Sequence, residues 1–180
     1  DEQLFPSKYK VYVKTKFLGL LYRYAFYTSY ASAHDYYENT THKWYFRTTY
    51  DTFTHIGNLR KFIQKLNSKY NPDKDIVIKA DHNKKFLHGG PGWVMSRAAV
   101  KYYLELEKEI TKEYEKEGCG DDVNIMHFIN KTNLTFYDIH TQEFAGWPVY
   151  DNSYESLIMS KFNYSNLTTY CRNDLHISRV

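Results

Sequence analysis

Cysteine, proline and glycine are all scarce in this sequence of 180 residues, with two, four and eight occurrences. Cys119 and Cys171 permit one disulfide in an oxidising compartment without requiring it, and no Cys-x-x-Cys or His-Glu-x-x-His spacing predicts a zinc site. The four prolines are scattered, and no composition shift marks a linker. A single domain over residues 1–180 is therefore expected.

Long hydrophobic runs and a one-sided charge are absent as well. No stretch of 18 apolar residues occurs, and the first residues have neither the basic region nor the apolar core of a signal peptide. Two expectations follow: either the chain is soluble as it stands, or a membrane anchor lies upstream of it. Because 24 Lys+Arg face 21 Asp+Glu, the net charge is only +3, which does not indicate a nucleic-acid partner.

Aromatic residues, by contrast, are abundant, at 18% of the chain with 19 tyrosines. A tyrosine ring packs against the C–H face of a sugar while its hydroxyl forms hydrogen bonds, so tyrosines often line sugar-binding clefts. They also fill cores, which is the more frequent role of any single tyrosine. Composition alone leaves both interpretations open.

Acceptor triplets for N-glycosylation occur five times in this short chain. They begin at Asn39, Asn130, Asn133, Asn163 and Asn166. A single triplet arises easily by chance, but five together favour passage through the secretory pathway.

Hydrophobic periodicity predicts helices alternating with short strands. Helices are expected over residues 16–38, 56–67, 97–116 and 122–130. Strands are expected over residues 44–48, 75–79 and 134–137. The second helix should bury Ile56, Leu59, Ile63 and Leu66, and Ser96 should cap the third. This alternation predicts an α/β fold with a largely parallel sheet, in which ligands bind beyond the C-terminal ends of the strands.

Three segments, in this order, carry the candidate chemistry. They are Trp-Tyr-Phe-Arg-Thr-Thr-Tyr-Asp-Thr-Phe at 44–53, Gly-Gly-Pro-Gly-Trp-Val-Met-Ser-Arg at 89–97 and Gly-Asp-Asp-Val at 120–123. Together they resemble the Fringe and core-1 β-1,3-galactosyltransferase family, whose pattern is a tryptophan before an acidic triplet, then Gly-Gly-x-Gly-aromatic-x-x-Ser, then an acidic pair. The resemblance extends from about residue 20 to residue 140.

The resemblance implies a Rossmann-like nucleotide-sugar fold of the GT-A type. It implies an inverting transferase that moves a hexose, galactose or N-acetylglucosamine, from a UDP-sugar to a glycan or glycoprotein in β-1,3 linkage. Manganese is the implied cofactor, because a hard cation held by carboxylates neutralises the charge that develops on the leaving diphosphate. A type II membrane protein with its catalytic part in the Golgi lumen is the implied location.

The resemblance also assigns metal ligands and a catalytic base. Asp51 matches the last aspartate of the acidic triplet, which is expected to bind the metal, and His140 is the expected histidine ligand. Asp122 or Asp121 matches the acidic pair and is expected to take the proton of the acceptor hydroxyl. The alternatives are a capping role for Asp51, a helix-dipole role for the acidic pair and a structural role for His140.

The glycine-rich segment is expected to line the donor pocket. Gly89, Gly90 and Gly92 have no side chains, so that a substrate can approach their backbone closely, and Trp93 is expected to shape the sugar site. The alternative is a tight turn with Trp93 in the core.

Two departures from the family pattern bear on activity. Thr49 and Tyr50 occupy the first two acidic positions, where they are expected to contact the donor but supply no carboxylates to a metal. The family fold also opens with a strand, a helix and a strand that would precede residue 1, so the chain is expected to be either a fragment of a longer type II membrane protein or a reduced form that has lost donor binding. A catalytically inactive relative that binds a glycan or a protein is therefore the alternative to an active transferase.

Overall fold

The structure is a computed structural model that describes residues 17–48, 52–82, 87–117, 120–146 and 169–171. The helices are α1 (Phe17–Asn39), α2 (Ile56–Lys69), α3 (Arg97–Glu105), α4 (Glu107–Glu117), α5 (Asp121–Asn130) and α6 (Phe136–Ile139). The strands are β1 (Trp44–Arg47), β2 (Thr52–Thr54), β3 (Ile78–Ala80), β4 (Trp93–Ser96), β5 (Phe144–Gly146) and β6 (Thr169–Cys171). No helix in these ranges combines the length and apolar composition needed to span a bilayer.

The described strands form two small sheets. The first has the order β1-β4-β3 with both pairs antiparallel, and the second has the order β2-β6-β5 with one antiparallel and one parallel pair. The expectation of a largely parallel sheet is therefore wrong for these strands. The connection from β3 to β4 pairs His82 with Leu87 as an antiparallel bridge, so it returns as a hairpin and not through a crossover helix. Whether the chain has the GT-A fold stays a prediction.

The first sheet separates two apolar clusters. On one face, the main core packs α1, α3, α4 and α5 against the sheet, with Tyr30 stacked on Tyr103 at a centroid distance of 4.4 Å. On the other face, Phe62 and Leu66 of α2 pack against Val94 and Phe144. Because successive side chains of a strand point to opposite faces, β1 and β4 contribute to both clusters, whereas β3 contributes Ile78 and Ala80 to the main core.

Four predicted elements match the structure closely, namely α1, α2, α5 and β1. In α2, however, the buried residues are Asn58, Phe62 and Leu66, whereas Ile56 is 54% exposed. The buried face of α2 is therefore centred on Phe62 and Leu66, which pack against Val94 of β4 and Phe144 of β5.

Three other predicted elements differ from the structure. The strand expected over 75–79 is found only as the shorter β3, Ile78–Ala80. The helix expected over 97–116 is interrupted at Leu106, where φ is −89° and ψ is 0°, although Ser96 caps its start as expected. The strand expected over 134–137 is wrong, because α6 begins there. Thr135 and Asp138 form a reciprocal capping box, and these side-chain hydrogen bonds prevail over the β preference of Phe136 and Tyr137.

Candidate functional site

The candidate site lies at one end of the first sheet. Arg47, the last residue of β1, pairs with Trp93, the first residue of β4, and Trp93 pairs with Ala80, the last residue of β3. His140 continues this row as a parallel bridge to Ala80. The end of β1, the glycine loop before β4 and the region after β3 therefore meet at one edge.

The glycine loop (Gly89–Gly92) is shaped by its contact with β1. Gly92 has a φ of 80°, a left-handed conformation, and its N–H donates to the carbonyl oxygen of Gly89 at 3.0 Å. A Cβ at Gly92 would overlap the carbonyl oxygen of Arg47. At this position the close approach that requires glycine is therefore made by the protein's own backbone.

Arg47 holds the glycine loop and α5 against β1. Its Nη1 donates to the carbonyl oxygen of Gly89 at 3.1 Å, and its Nη2 forms an ion pair with Oδ2 of Asp121. The guanidinium carbon lies 4.5 Å from the centroid of the Trp93 ring, within the range of a cation–π interaction. Nearby, the hydroxyl of Thr52 donates to the carbonyl oxygen of Gly90. Sequence reasoning assigned no role to Arg47 or Thr52.

A signal for Arg47 was present in the sequence. It is a single charged residue at the end of an aromatic strand, directly before the segment that matches the acidic triplet. A charge placed at the end of an otherwise aromatic strand needs a partner when it is buried, so it is a candidate for binding or positioning.

Asp121 and Asp122, the candidate bases, have different environments. Asp121 is 8% exposed, and burial raises the pKa of its carboxyl above the ordinary value, while Arg47 opposes this rise and Asp122 adds to it. Asp122 is half-buried and lies beside Gly89, where an added Cβ on the glycine would come within 3.1 Å of the Asp122 Cβ. The Oδ1 of Asp122 accepts from the N–H of Val123 at 2.8 Å.

These environments divide the roles of the two aspartates. Asp121 neutralises Arg47 and starts α5, where a carboxylate also favours the positive end of the helix dipole. Asp122 keeps part of its surface accessible at the edge of the glycine loop. A carboxylate that abstracts a proton must reach its substrate, so Asp122 is the better placed of the two.

Trp93 lies entirely in the core, with no exposed surface. This is the alternative that the sequence left open, and a direct contact of its ring with a sugar would require the ring to be uncovered. In the structure, Trp93 contributes to the site through its contact with Arg47, whose guanidinium lies over the indole ring.

The expected metal ligands are only partly described. Thr49, Tyr50 and Asp51 lie outside the described residues. The ring of His140 stacks on Phe136 at 5.2 Å, and its Nδ1 is buried without a hydrogen-bond partner. Within the described ranges, no three His, Cys, Asp or Glu side chains are grouped to hold an ion. The described side chains alone therefore do not fit a manganese site, and manganese stays a prediction.

His140 lies at the opposite end of this row of paired residues from Arg47, the partner of Asp121. Arg47 and His140 are three inter-strand steps apart, which at about 4.8 Å per step is about 14 Å between backbones. The structure brings the glycine loop together with Asp121 and Asp122, and shows no contact between His140 and either aspartate.

No model of a known protein family matches the chain, and no curated protein is significantly similar to it. The resemblance to the Fringe-like transferases therefore depends on the three motif segments.

Proposed function

We propose that the chain is a sugar transferase of the Fringe-like type. It moves a hexose, galactose or N-acetylglucosamine, from a UDP-sugar to a glycan or glycoprotein in β-1,3 linkage, with inversion at the anomeric carbon and with manganese as the cofactor. The secretory pathway, in particular the Golgi lumen, is the proposed location, in agreement with the five glycosylation triplets.

The observation that carries this proposal is the meeting of three distant segments at one end of the first sheet. The end of β1, the glycine loop and the start of α5 are joined through Arg47, which contacts both Gly89 and Asp121. Motif matches that arise by chance give no reason for such a meeting. Their convergence beside a half-buried carboxylate supports a shared role in one reaction.

The proposed chemistry is a direct displacement. The acceptor hydroxyl oxygen attacks the anomeric carbon, the bond from that carbon to the diphosphate oxygen breaks with its electron pair leaving on UDP, and Asp122 takes the hydroxyl proton. Arg47 holds the glycine loop at a fixed distance from Asp122 through the Gly89 carbonyl. Asp121 compensates the Arg47 charge, so that the guanidinium does not neutralise the base.

The test is a calorimetric titration of UDP with and without manganese, followed by turnover assays with UDP-galactose and UDP-N-acetylglucosamine. We expect metal-dependent binding and, for Asp122→Asn, a loss of turnover of about 10²–10⁴-fold with UDP binding retained. Asp73→Asn is the matched control, because Asp73 is an exposed partner of Lys43 far from this site in sequence, and it should keep full activity. Absence of UDP binding in both conditions would refute the transferase.

The shortage of free carboxylates at the site favours a second function, namely binding without catalysis. Asp121 is already engaged by Arg47, and Thr49 and Tyr50 supply no carboxylates, so the family's full acidic set is not present. A catalytically inactive relative would bind a glycan or a protein through the same surface. Binding of UDP or of a glycan without turnover of any UDP-sugar supports this alternative.

A further inference from the structure

A separate cavity lies on the opposite face of the first sheet from Arg47 and Trp93. It has a volume of about 420 Å³ and is bounded by α2, by Lys79 of β3 and by residues 140–143. Lys79 neighbours Ala80, the strand partner of Trp93, so its side chain points to the other face. The cavity is therefore distinct from the surface formed by the glycine loop and Asp122.

The lining of this cavity is positively charged. Lys65, Lys69 and Lys79 face a single carboxylate, that of Glu143. Only Lys65 is paired with it, at 3.1 Å from Nζ to Oε1. Within the described residues, Lys69 and Lys79 have no salt bridge, and the Asp138 and Glu143 carboxylates act on them only at longer range.

Each of these two lysines is held in place by an uncharged group. The ammonium of Lys79 donates to the backbone carbonyl oxygen of Asp138, and that of Lys69 lies 5.0 Å from the centroid of the Tyr70 ring. Lys79 is half-buried, and burial lowers the pKa of its ammonium; the charge of Lys69 adds to this effect, while Tyr70, Asp138 and Glu143 oppose it. A cation partly removed from water and close to another cation is stabilised by an anion placed between them.

The cavity also has the size and lining for a sugar. Small-molecule sites span about 300–1,000 Å³, and this cavity lies in that range. Phe62 and Leu66 form an apolar wall, and Tyr70 offers a ring and a hydroxyl, the combination that packs against sugar C–H groups.

We propose that this cavity binds the anionic group of a sugar-sized molecule, a phosphate, sulfate or carboxylate carried on a sugar. Lys69 and Lys79 bind the oxyanion, and Tyr70 contacts the sugar. The proposal does not depend on transferase activity, because none of these side chains belongs to the glycine-loop site.

The test is calorimetric titration at low salt with glucose 6-phosphate, glucuronic acid and neutral glucose. We expect both anions to bind and glucose not to bind. Lys79→Met and Lys69→Met keep most of the apolar stem and remove the charge, so each should weaken binding by about tenfold or more. Lys69 is exposed, so that Lys69→Met tests the proposal even where Lys79→Met fails to fold.

Two control variants make the result specific. Lys101→Met removes an exposed lysine of α3 that pairs with Glu105, and Asp122→Asn alters the glycine-loop site; both should bind glucose 6-phosphate as the unaltered protein does. Equal binding of glucose and glucose 6-phosphate would overturn the proposal. So would unchanged binding in the Lys69 variant and any folded Lys79 variant, or a loss of binding confined to Asp122→Asn. Binding of either anion with the expected lysine dependence supports it, and their relative affinity identifies the preferred group.

Discussion

Arg47 joins β1 to the glycine loop, to α5 and to the face of Trp93. Its side chain and that of Asp121 are 13% and 11% exposed, so their ion pair is largely buried. In such a pair the removal of one partner leaves the other charge in a poorly solvated position, which costs more than the pair itself contributes. Removing either Arg47 or Asp121 alone should therefore lower the free energy of unfolding.

Replacing Arg47 by Met should destabilise the fold, and more so at neutral than at acidic pH. Burial raises the pKa of Asp121 in the folded state, and loss of Arg47 removes the group that opposes this rise. A carboxyl with a raised folded pKa contributes most stability below its unfolded pKa of about 3.9, and that contribution is lost as pH rises through the folded pKa. Urea denaturation at pH 7 should show a loss of about 3–5 kcal/mol, and a smaller loss at pH 4.

Two comparisons control this experiment. Lys43→Met breaks the exposed Lys43–Asp73 pair and should cost less than about 1 kcal/mol. In the Asp121→Asn background, Arg47→Met should lose its dependence on pH. An equal cost of Arg47→Met at both pH values would contradict the assigned charge of Asp121.

Gly92 and Gly57 provide a pair of substitutions with different expected costs. Gly92→Ala places a Cβ on a residue with a φ of 80° and into the carbonyl oxygen of Arg47, so we expect a loss of about 2 kcal/mol or more. Gly57 lies in the first turn of α2, where an added Cβ would come within 3.2 Å of the capping side chain of His55 and meet no backbone atom, so Gly57→Ala should change the stability by less than about 1 kcal/mol. Thermal or urea denaturation measures both, and equal losses in the two variants would contradict the backbone overlap at Gly92.

The sequence located part of the candidate site at the residue scale. The glycine loop, Asp121 and Asp122 were identifiable because their spacing matches a family pattern. Arg47 and Thr52 were not, because what they do is bind the carbonyl oxygens of Gly89 and Gly90, and side-chain contacts across about 40 residues leave no local pattern. Burial of Trp93 is likewise decided by packing, not by spacing.

Ser96 links α3 to the first sheet at the scale of the elements. Its hydroxyl accepts from the N–H groups of Ala99 and Val77, both at 3.1 Å, and donates to the carbonyl oxygen of Asp75 at 2.6 Å. The cap of the helix and the hydrogen bonding of the chain that enters β3 thus depend on one buried oxygen.

Ser96→Ala should therefore cost more than loss of a helix cap alone. Removing the cap costs about 1 kcal/mol, and leaving the N–H of Val77 buried without a partner adds about 1–3 kcal/mol. Thr135→Ala is the matched control, since Thr135 caps α6 at an exposed position and should cost only about 1 kcal/mol. Denaturation of both variants tests this order, and equal losses would contradict the second role of Ser96.

Elements with a long periodic pattern were predictable, and strand directions were not. The apolar spacing of α2 and the aromatic run of β1 are local properties, and both elements formed where expected. The antiparallel order β1-β4-β3 depends on pairing between strands that are distant in the chain, which a pattern of alternating elements does not determine. The error at α6 has a local cause, because the pairing of Thr135 with Asp138 was a readable helix-start signal beside two β-prone aromatics.

At the scale of the whole molecule, three acceptor triplets lie in described and accessible positions. Asn39 ends α1, Asn130 ends α5 and Asn133 follows in the next turn, and all three side chains are exposed. Asn163 and Asn166 lie outside the described residues, as does Cys119 of the possible disulfide with Cys171. These three side chains are therefore accessible to a glycosylating enzyme on the folded surface.

Expression in a eukaryotic secretory host should yield a protein carrying N-linked glycans at these positions. Digestion with a peptide N-glycosidase should lower the apparent mass, and Asn39→Gln should remove one glycan, as measured by mass spectrometry. Asn67→Gln, at an exposed asparagine outside any triplet, should leave the mass pattern unchanged. An unmodified secreted protein would contradict the inference drawn from the triplets.

The burial of Trp93 beneath Arg47 has an optical consequence. Trp44 is half-buried with its Nε1 donating to Asn67 at 2.7 Å, whereas Trp93 has no exposed surface. Emission from Trp93 should thus occur at short wavelength and resist a soluble quencher, and Trp44→Phe combined with Trp147→Phe should leave Trp93 as the remaining tryptophan of the sequence. A ligand that moves the guanidinium off the indole ring would change the emission, so the protein contains its own fluorescent reporter of events at the glycine loop.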